Sequence, residues 1–291
     1  MIRGIWDYVQ AVEKGQTHYS TFRKTPSQVG TAGNWFDLSM SPGMPLPQYY
    51  AAAPLVAQQL KRSTDGGLNH GASVSSTSHQ KYLKKLLVMF NSQTGLPMPY
   101  VLLDYLLYYP FIDMGTNDEQ LMDNTLALSR YTDGVGVQMI AVSVASGTSL
   151  SPKFTVNYTN SDGVAGRTSK LVTLSTATAN GSILPCHHGL NTVIGNGPFI
   201  GLQDGDKGVR SIQSVTFPGV LDVGLFAIAL VKPIITGVIC EPNAPSETEV
   251  LPHISQLPKI YDDAYLNLIV CPSAAINGLT FNGEIETVWN K

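Results

Sequence analysis

The chain has 291 residues, room for one large domain or two of ordinary size. Its 18 Lys+Arg and 21 Asp+Glu make 13% of the sequence, about half the usual charged share, and a formal net charge of -3 leaves no basic surplus for a phosphate backbone. Nucleic-acid binding as the main role is disfavoured, and a mean hydropathy of +0.05 with so few charges points to surface shared with neighbouring subunits.

In chain order, Ile5, Trp6, Val9 and Val12 recur at helical spacing and Lys14-Gly15 supplies a stop, so a short helix is expected over Ile5–Val12. Thr17–Lys24 alternates like a strand. Ser41-Pro42-Gly43-Met44-Pro45-Leu46-Pro47 then forbids a regular element, since its prolines lack donors and have fixed φ. Trp35, Phe36, Tyr49 and Tyr50 are too aromatic for a disordered tail. Residues 1–79 are therefore expected to form an extended, largely irregular N-terminal arm whose four aromatics, with Arg210, are candidate interface residues.

Residues 80–291 are expected to form an antiparallel β-sandwich or jelly roll. Lys81–Phe90 fits helix or strand by periodicity. The turn chemistry of Gln93-Thr94-Gly95-Leu96-Pro97 before the Tyr-rich run Tyr100–Tyr109 favours a hairpin. Seven short runs follow: Val137–Val144, Phe154–Tyr158, Leu171–Thr176, Val209–Phe217, Leu225–Val231, Tyr265–Val270 and Glu284–Trp289. Several alternate cleanly, and Gly, Pro and Asp-Gly turns separate them in place of helices, which indicates antiparallel sheet. The apolar runs Tyr100–Ile112 and Val223–Ile239 are interrupted by Asp104 and by Lys232-Pro233, so no membrane span is expected. No secretory signal is expected from Met1–Gln10, and the odd set Cys186, Cys240 and Cys271 implies no disulfide framework.

Three clusters could carry chemistry. Cys186-His187-His188 offers zinc ligands, but adjacent residues on an extended chain point to opposite faces and no second ligand pair lies nearby, so no metal is expected. Asp113, Asp118, Glu119 and Asp123 could flank a glycosidic bond or hold calcium, yet Thr116-Asn117-Asp118-Glu119 reads as the cap of a helical turn. Asp204 and Asp206 beside Lys207 and Arg210 read as an ion-pair group on a solvated or shared surface. No nucleophile elbow, Walker loop or dinucleotide fingerprint occurs, and neither catalytic residues nor a cofactor are expected.

Five segments together, Trp35–Gly43 (WFDLSMSPG), Asp104–Met114 (DYLLYYPFIDM), Arg130–Gly134 (RYTDG), Gly208–Phe217 (GVRSIQSVTF) and Asp263–Asn267 (DAYLN), resemble a recurring type of tailed-bacteriophage structural protein. The resemblance implies a non-enzymatic virion component. Its partners would be other virion proteins, the major capsid protein first, and further copies of itself, with no membrane and no specific nucleic acid. A capsid-decorating or minor capsid protein is favoured by the aromatic arm and by the absence of fibre repeats; a tail, collar or fibre component is the alternative, and a polysaccharide-degrading enzyme the third reading.

Overall fold

The computed structural model describes residues 2, 4–74, 79–148, 150, 152–174, 179–184, 197–250 and 257–290. Helix α1 (Ile5–Glu13) leads into β1 (Thr17–Lys24), β2 (Phe36–Asp37), a 3-10 turn (Leu38–Met40), β3 (Gly43–Met44), β4 (Gln58–Gln59) and one helical turn, α2 (Arg62–Asp65). The long strands β5 (Gln80–Phe90) and β6 (Met98–Asp113) follow, then β7 (Gln120–Leu121), β8 (Gln138–Ala145), β9 (Lys153–Asn160), β10 (Arg167–Thr168) and β11 (Val172–Thr173). The remainder is β12 (Val209–Thr216), β13 (Leu225–Ile239), β14 (Ser246–Glu249), β15 (Lys259–Ile260), β16 (Tyr265–Val270) and β17 (Phe281–Asn290). Strands take 44% of the chain and helices 7%, so the expected mainly β class holds.

The strands form three antiparallel sheets. The first runs β14-β5-β17-β1-β3 with β15 also on β5, the second β2-β16-β6-β13-β8 with β4 also on β6, and the third β10-β9-β12-β7 with β11 also on β9. The second sheet is the shared layer. Met98, Tyr100 and Leu102 of β6 join a core with Phe22, Leu86 and Phe281 of the first sheet. Further along the same strand, Tyr109 and Ile112 join a core with Phe154, Val156 and Ile212 of the third. Val101, Leu103 and Tyr105 alternate with the first set and pack with Tyr50, Leu60 and Ile183. Both faces of β6 are thus covered, which is why its sequence is almost unbroken apolar. A bulge where Leu230 pairs Leu107 and Val231 pairs Tyr105 leaves Leu106 unpaired and shifts the alternation as β6 passes from one sandwich to the other.

Three expectations are corrected. Lys81–Phe90 and Tyr100–Tyr109 are strands but not a hairpin, because β5 pairs with β17, β14 and β15 while β6 pairs with β13, β16 and β4. The turn between them carries the chain from one sheet to the next. The first 79 residues are not an arm outside a separate domain, since β1 lies between β17 and β3 and both β2 and β4 belong to the second sheet. The run Leu225–Val231 continues as β13 through Pro233 to Ile239. The β8 ladder ends at Val231, so the missing N–H of Pro233 faces a side where, among the described residues, no strand pairs with it. Each of the other six runs contains a strand, although the last residues of Leu171–Thr176 lie outside the described residues.

Candidate functional site

Four of the five segments behind the resemblance converge in one buried polar network. Arg130 donates from Nε to Asp104 Oδ2 at 3.0 Å and from Nη2 to Asp104 Oδ1 at 2.8 Å, and Nη2 also reaches the carbonyls of Leu60 and Tyr105. Asp104 Oδ1 accepts a further bond from the Tyr265 amide at 3.1 Å. The pair is sealed from solvent. Burial lifts the Asp104 carboxyl to about 6, with the Arg130 charge pulling it back down. Beside it, Asp37 accepts from Tyr50 OH at 2.5 Å, Tyr105 OH at 2.8 Å, and the amide and hydroxyl of Ser39, each at 2.8 Å. Burial raises the Asp37 carboxyl, while those four donors oppose the rise. The Tyr50 hydroxyl is raised well above its ordinary value by burial and by the charge it faces.

Because Asp37 and Asp104 are fully enclosed, no substrate reaches either carboxylate. What they do is fasten the first sixty residues to β6 and β16. Lys24 extends this fastening: its Nζ donates to Ser41 O at 3.0 Å and Pro45 O at 2.6 Å, and burial lowers its pKa to about 8. The Pro-rich loop is held from below, and its apolar residues Met44 and Leu46 face outward, 66% and 73% exposed.

A second buried cluster locks residues 70–74. Lys81 Nζ lies 3.2 Å from Asp262 Oδ1 and donates to Ala72 O at 2.7 Å and to His70 Nδ1 at 3.3 Å. Since Nδ1 faces the ammonium, the ring proton sits on Nε2 and is donated to Ala264 O at 3.0 Å. Burial first, then the Lys81 charge, depresses the His70 imidazole to about 3.

The candidate interface residues divide. Tyr49 is exposed and Trp35 half-buried against the core that contains Tyr50, whereas Tyr50 and Phe36 are buried within the chain and unavailable to a neighbour. Tyr50 is internal because its hydroxyl finds Asp37 and its ring meets Tyr108 edge-on at 5.2 Å; the Phe36 ring packs on Gly181, where a Cβ would come within 2.8 Å. Arg210 caps turns, donating to Ser161 O at 2.6 Å and Asp133 O at 3.1 Å. The acidic neighbourhood is spent locally: Asp113 accepts from the Gly115 amide, Asp123 from Thr125, and Glu119 from Ser214 Oγ. The expected group around Asp204 is rearranged, with Asp206 bonded to Arg167, Tyr158 and Asn160, and Asp204 paired with Lys170. Cys186, His187 and His188 lie outside the described residues; among the described residues no group of three potential ligands could hold a metal ion, and no helix is long and apolar enough to cross a membrane.

Among the exposed apolar residues that sequence reasoning missed are Trp6, 69% exposed on α1, and Met44 and Leu46 in the Pro-rich loop, while Leu121, Val29 and Val220 are exposed elsewhere. The signal for the first three was available. Ala11 faces Val288 and Tyr82 in a small core, so the helix turns Ile5, Trp6 and Val12 outward, and in a loop with three prolines in seven residues only Gly43 and Met44 reach a sheet, at its margin beside Arg23 and Lys24, where the Met44 side chain stays exposed.

No family model matches the chain, and no curated protein matches it. Among solved structures, an unassembled KI polyomavirus VP1 pentamer aligns over 96% of this chain and 95% of its own at 9% identity, with a TM-score of 0.23. The infectious bursal disease virus VP2 subviral particle covers 94% and 81% at 8% identity and 0.15, and the human polyomavirus 6 VP1 pentamer 94% and 94% at 11% identity and 0.11. Scores this low do not place two chains in one fold, and the architecture rests on the strand pairing alone.

Proposed function

We propose that the protein is a non-enzymatic structural component of a virion, of the capsid-decorating or minor capsid kind, working alongside the major capsid protein and other copies of itself. The observation that carries this reading is the division of labour in the first fifty residues. Their polar groups are tied inward to Asp37 and by Lys24, while Trp6, Met44, Leu46 and Tyr49 are held outward at 55–73% exposure. Apolar groups fixed at a surface suit a contact that a neighbour covers. The resemblance to tailed-phage structural proteins supports the same reading.

The test is particle occupancy. A Trp6→Ser, Leu46→Ser variant keeps every buried contact above and is expected to fold as the wild type does, yet to be depleted from purified virions by at least several-fold in quantitative mass spectrometry. Electron cryomicroscopy of wild-type particles should place the density on the shell. Density on the tail would move the protein to the collar or fibre class, and full occupancy of the variant, or hydrolase activity of a soluble monomer, would overturn the reading.

A further inference from the structure

We propose that the outer edge of β1 is a homotypic docking site, where a second copy of this chain adds its own β1 antiparallel and the two first sheets become continuous. The inference deepens the assembly reading above and rests on it for the expectation that copies meet.

The backbone sets the edge. The Trp289 amide donates to Gln16 O at 3.0 Å, in register with the β1–β17 ladder that starts at Thr17 opposite Val288. In an antiparallel ladder the main-chain groups of alternate residues point to opposite sides, so those of His18, Ser20 and Phe22 face β17 while those of Thr17, Tyr19 and Thr21 face away. On that far side β3 pairs only with Arg23 and Lys24, a contact extended by the Thr25 amide to Pro42 O at 2.9 Å. Among the described residues, no strand pairs with Thr17, Tyr19 and Thr21 on this side.

An open edge is usually guarded by charge, proline or a bulge. The opposite margin of the same sheet is guarded, since β14 carries Glu247 and Glu249. Residues 17–21, Thr-His-Tyr-Ser-Thr, carry no acidic residue, no Lys or Arg and no proline, and the β1–β17 register is unbroken. The segment is also self-complementary. Pairing two copies about Tyr19 sets Tyr19 opposite Tyr19 and Thr17 opposite Thr21, with no like charges facing. Each facing pair exchanges two main-chain hydrogen bonds.

The ends fit as well. Gly15, at φ +66°, turns the chain out of α1 immediately before β1, so the incoming strand begins opposite Thr21 and stops short of β3. Helix α1 packs against Val288 and Tyr82, which lie on β17 and β5, one and two strands in from this edge. Tyr19 at 56% exposure and Met44 at 66% flank the edge and supply the apolar area that a short ladder lacks by itself.

Sedimentation velocity on the full chain tests this. Wild-type protein should form a reversible dimer. Thr17→Lys combined with Thr21→Lys puts like charges opposite each other twice, and dimerisation should weaken at least ten-fold. Thr17→Glu with Thr21→Lys sets opposite charges across the same pairs and should restore wild-type affinity, a recovery that only this register explains. Hydrogen exchange on wild-type protein needs no variant: the Tyr19 and Thr21 amides should exchange fast in dilute protein and be protected once the dimer forms. A wild-type monomer at the highest soluble concentration would overturn the proposal, as would a dimer indifferent to the Lys pair or one whose Tyr19 and Thr21 amides stay fast. In those cases another surface or another protein meets the edge, and the assembly reading, judged by occupancy of the Trp6→Ser, Leu46→Ser variant, stands or falls separately.

Discussion

His70 gives the fold a defined acid sensitivity. Folded, the ring stays neutral down to about pH 3, whereas in the unfolded chain it takes up a proton near 6.5. Across that interval the unfolded state binds more protons, so the stabilisation is complete above pH 6.5 and drains away as the pH falls. One proton corresponds to about 1.4 kcal/mol per pH unit, so roughly 2–3 kcal/mol should go between about pH 6 and pH 4, a large part of a usual folding free energy of about 5–15 kcal/mol. The groups around it oppose protonation on balance: Lys81 on β5 and Arg62 on α2 are cationic, and the Asp262 carboxylate offsets them only in part. His18, also lowered by burial, adds to the same loss. His70→Gln removes the titration. Urea unfolding of both proteins, in steps from about pH 7.5 to about 4.5, should show the wild type losing about 1 kcal/mol more per unit than the variant below pH 6. Parallel losses in the two proteins would refute the argument, for the ring would then be protonated in the folded state as well.

Two further outcomes follow from the buried network. Arg130→Met leaves the Asp104 carboxylate enclosed and unpaired and should cost about 3–5 kcal/mol in chemical denaturation, while adding Asp104→Leu should recover most of the loss; a single substitution costing under about 1 kcal/mol would mean that water reaches the site. Deleting residues 1–78 should abolish folding rather than leave a soluble β domain, because β1 and the buried Tyr50 and Leu60 go with it; a cooperative thermal transition in the truncated protein would contradict this.

What the sequence revealed depended on how far apart the interacting residues lie. Strands with one face buried, such as Lys153–Asn160 and Phe281–Asn290, announce themselves by alternation. β6, covered on both faces, shows no alternation, so its partners were unreadable, and a reversal at Gln93–Pro97 carries no mark of whether the chain returns to the same sheet or enters another. Proline chemistry around Ser41–Pro47 gave a break in the chain but excluded any regular element, whereas Gly43–Met44 forms a two-residue strand on Arg23 and Lys24. The burial of Tyr50 was not legible, because its partners Asp37 and Tyr108 are brought to it by the second sheet. The resemblance pointed to Asp37, Asp104 and Arg130 without showing that they serve the interior.

The pairing of β1 with β17 also sets a timetable for synthesis. Thr17 bonds opposite Val288, so the strand leaves the ribosome long before the partner that completes its sheet exists. At 5–20 residues per second the wait is roughly 15–50 s, during which Phe22 has no Gly283 to lie over and the β1 margin that β17 will cover is bare. Most ladders in the first sheet are similarly long-range, a topology that folds slowly and leaves nascent strands open to mispairing. A chain built this way should depend on chaperones that hold its first strands during translation, and slowing elongation near its end should lower soluble yield more than slowing it near the start.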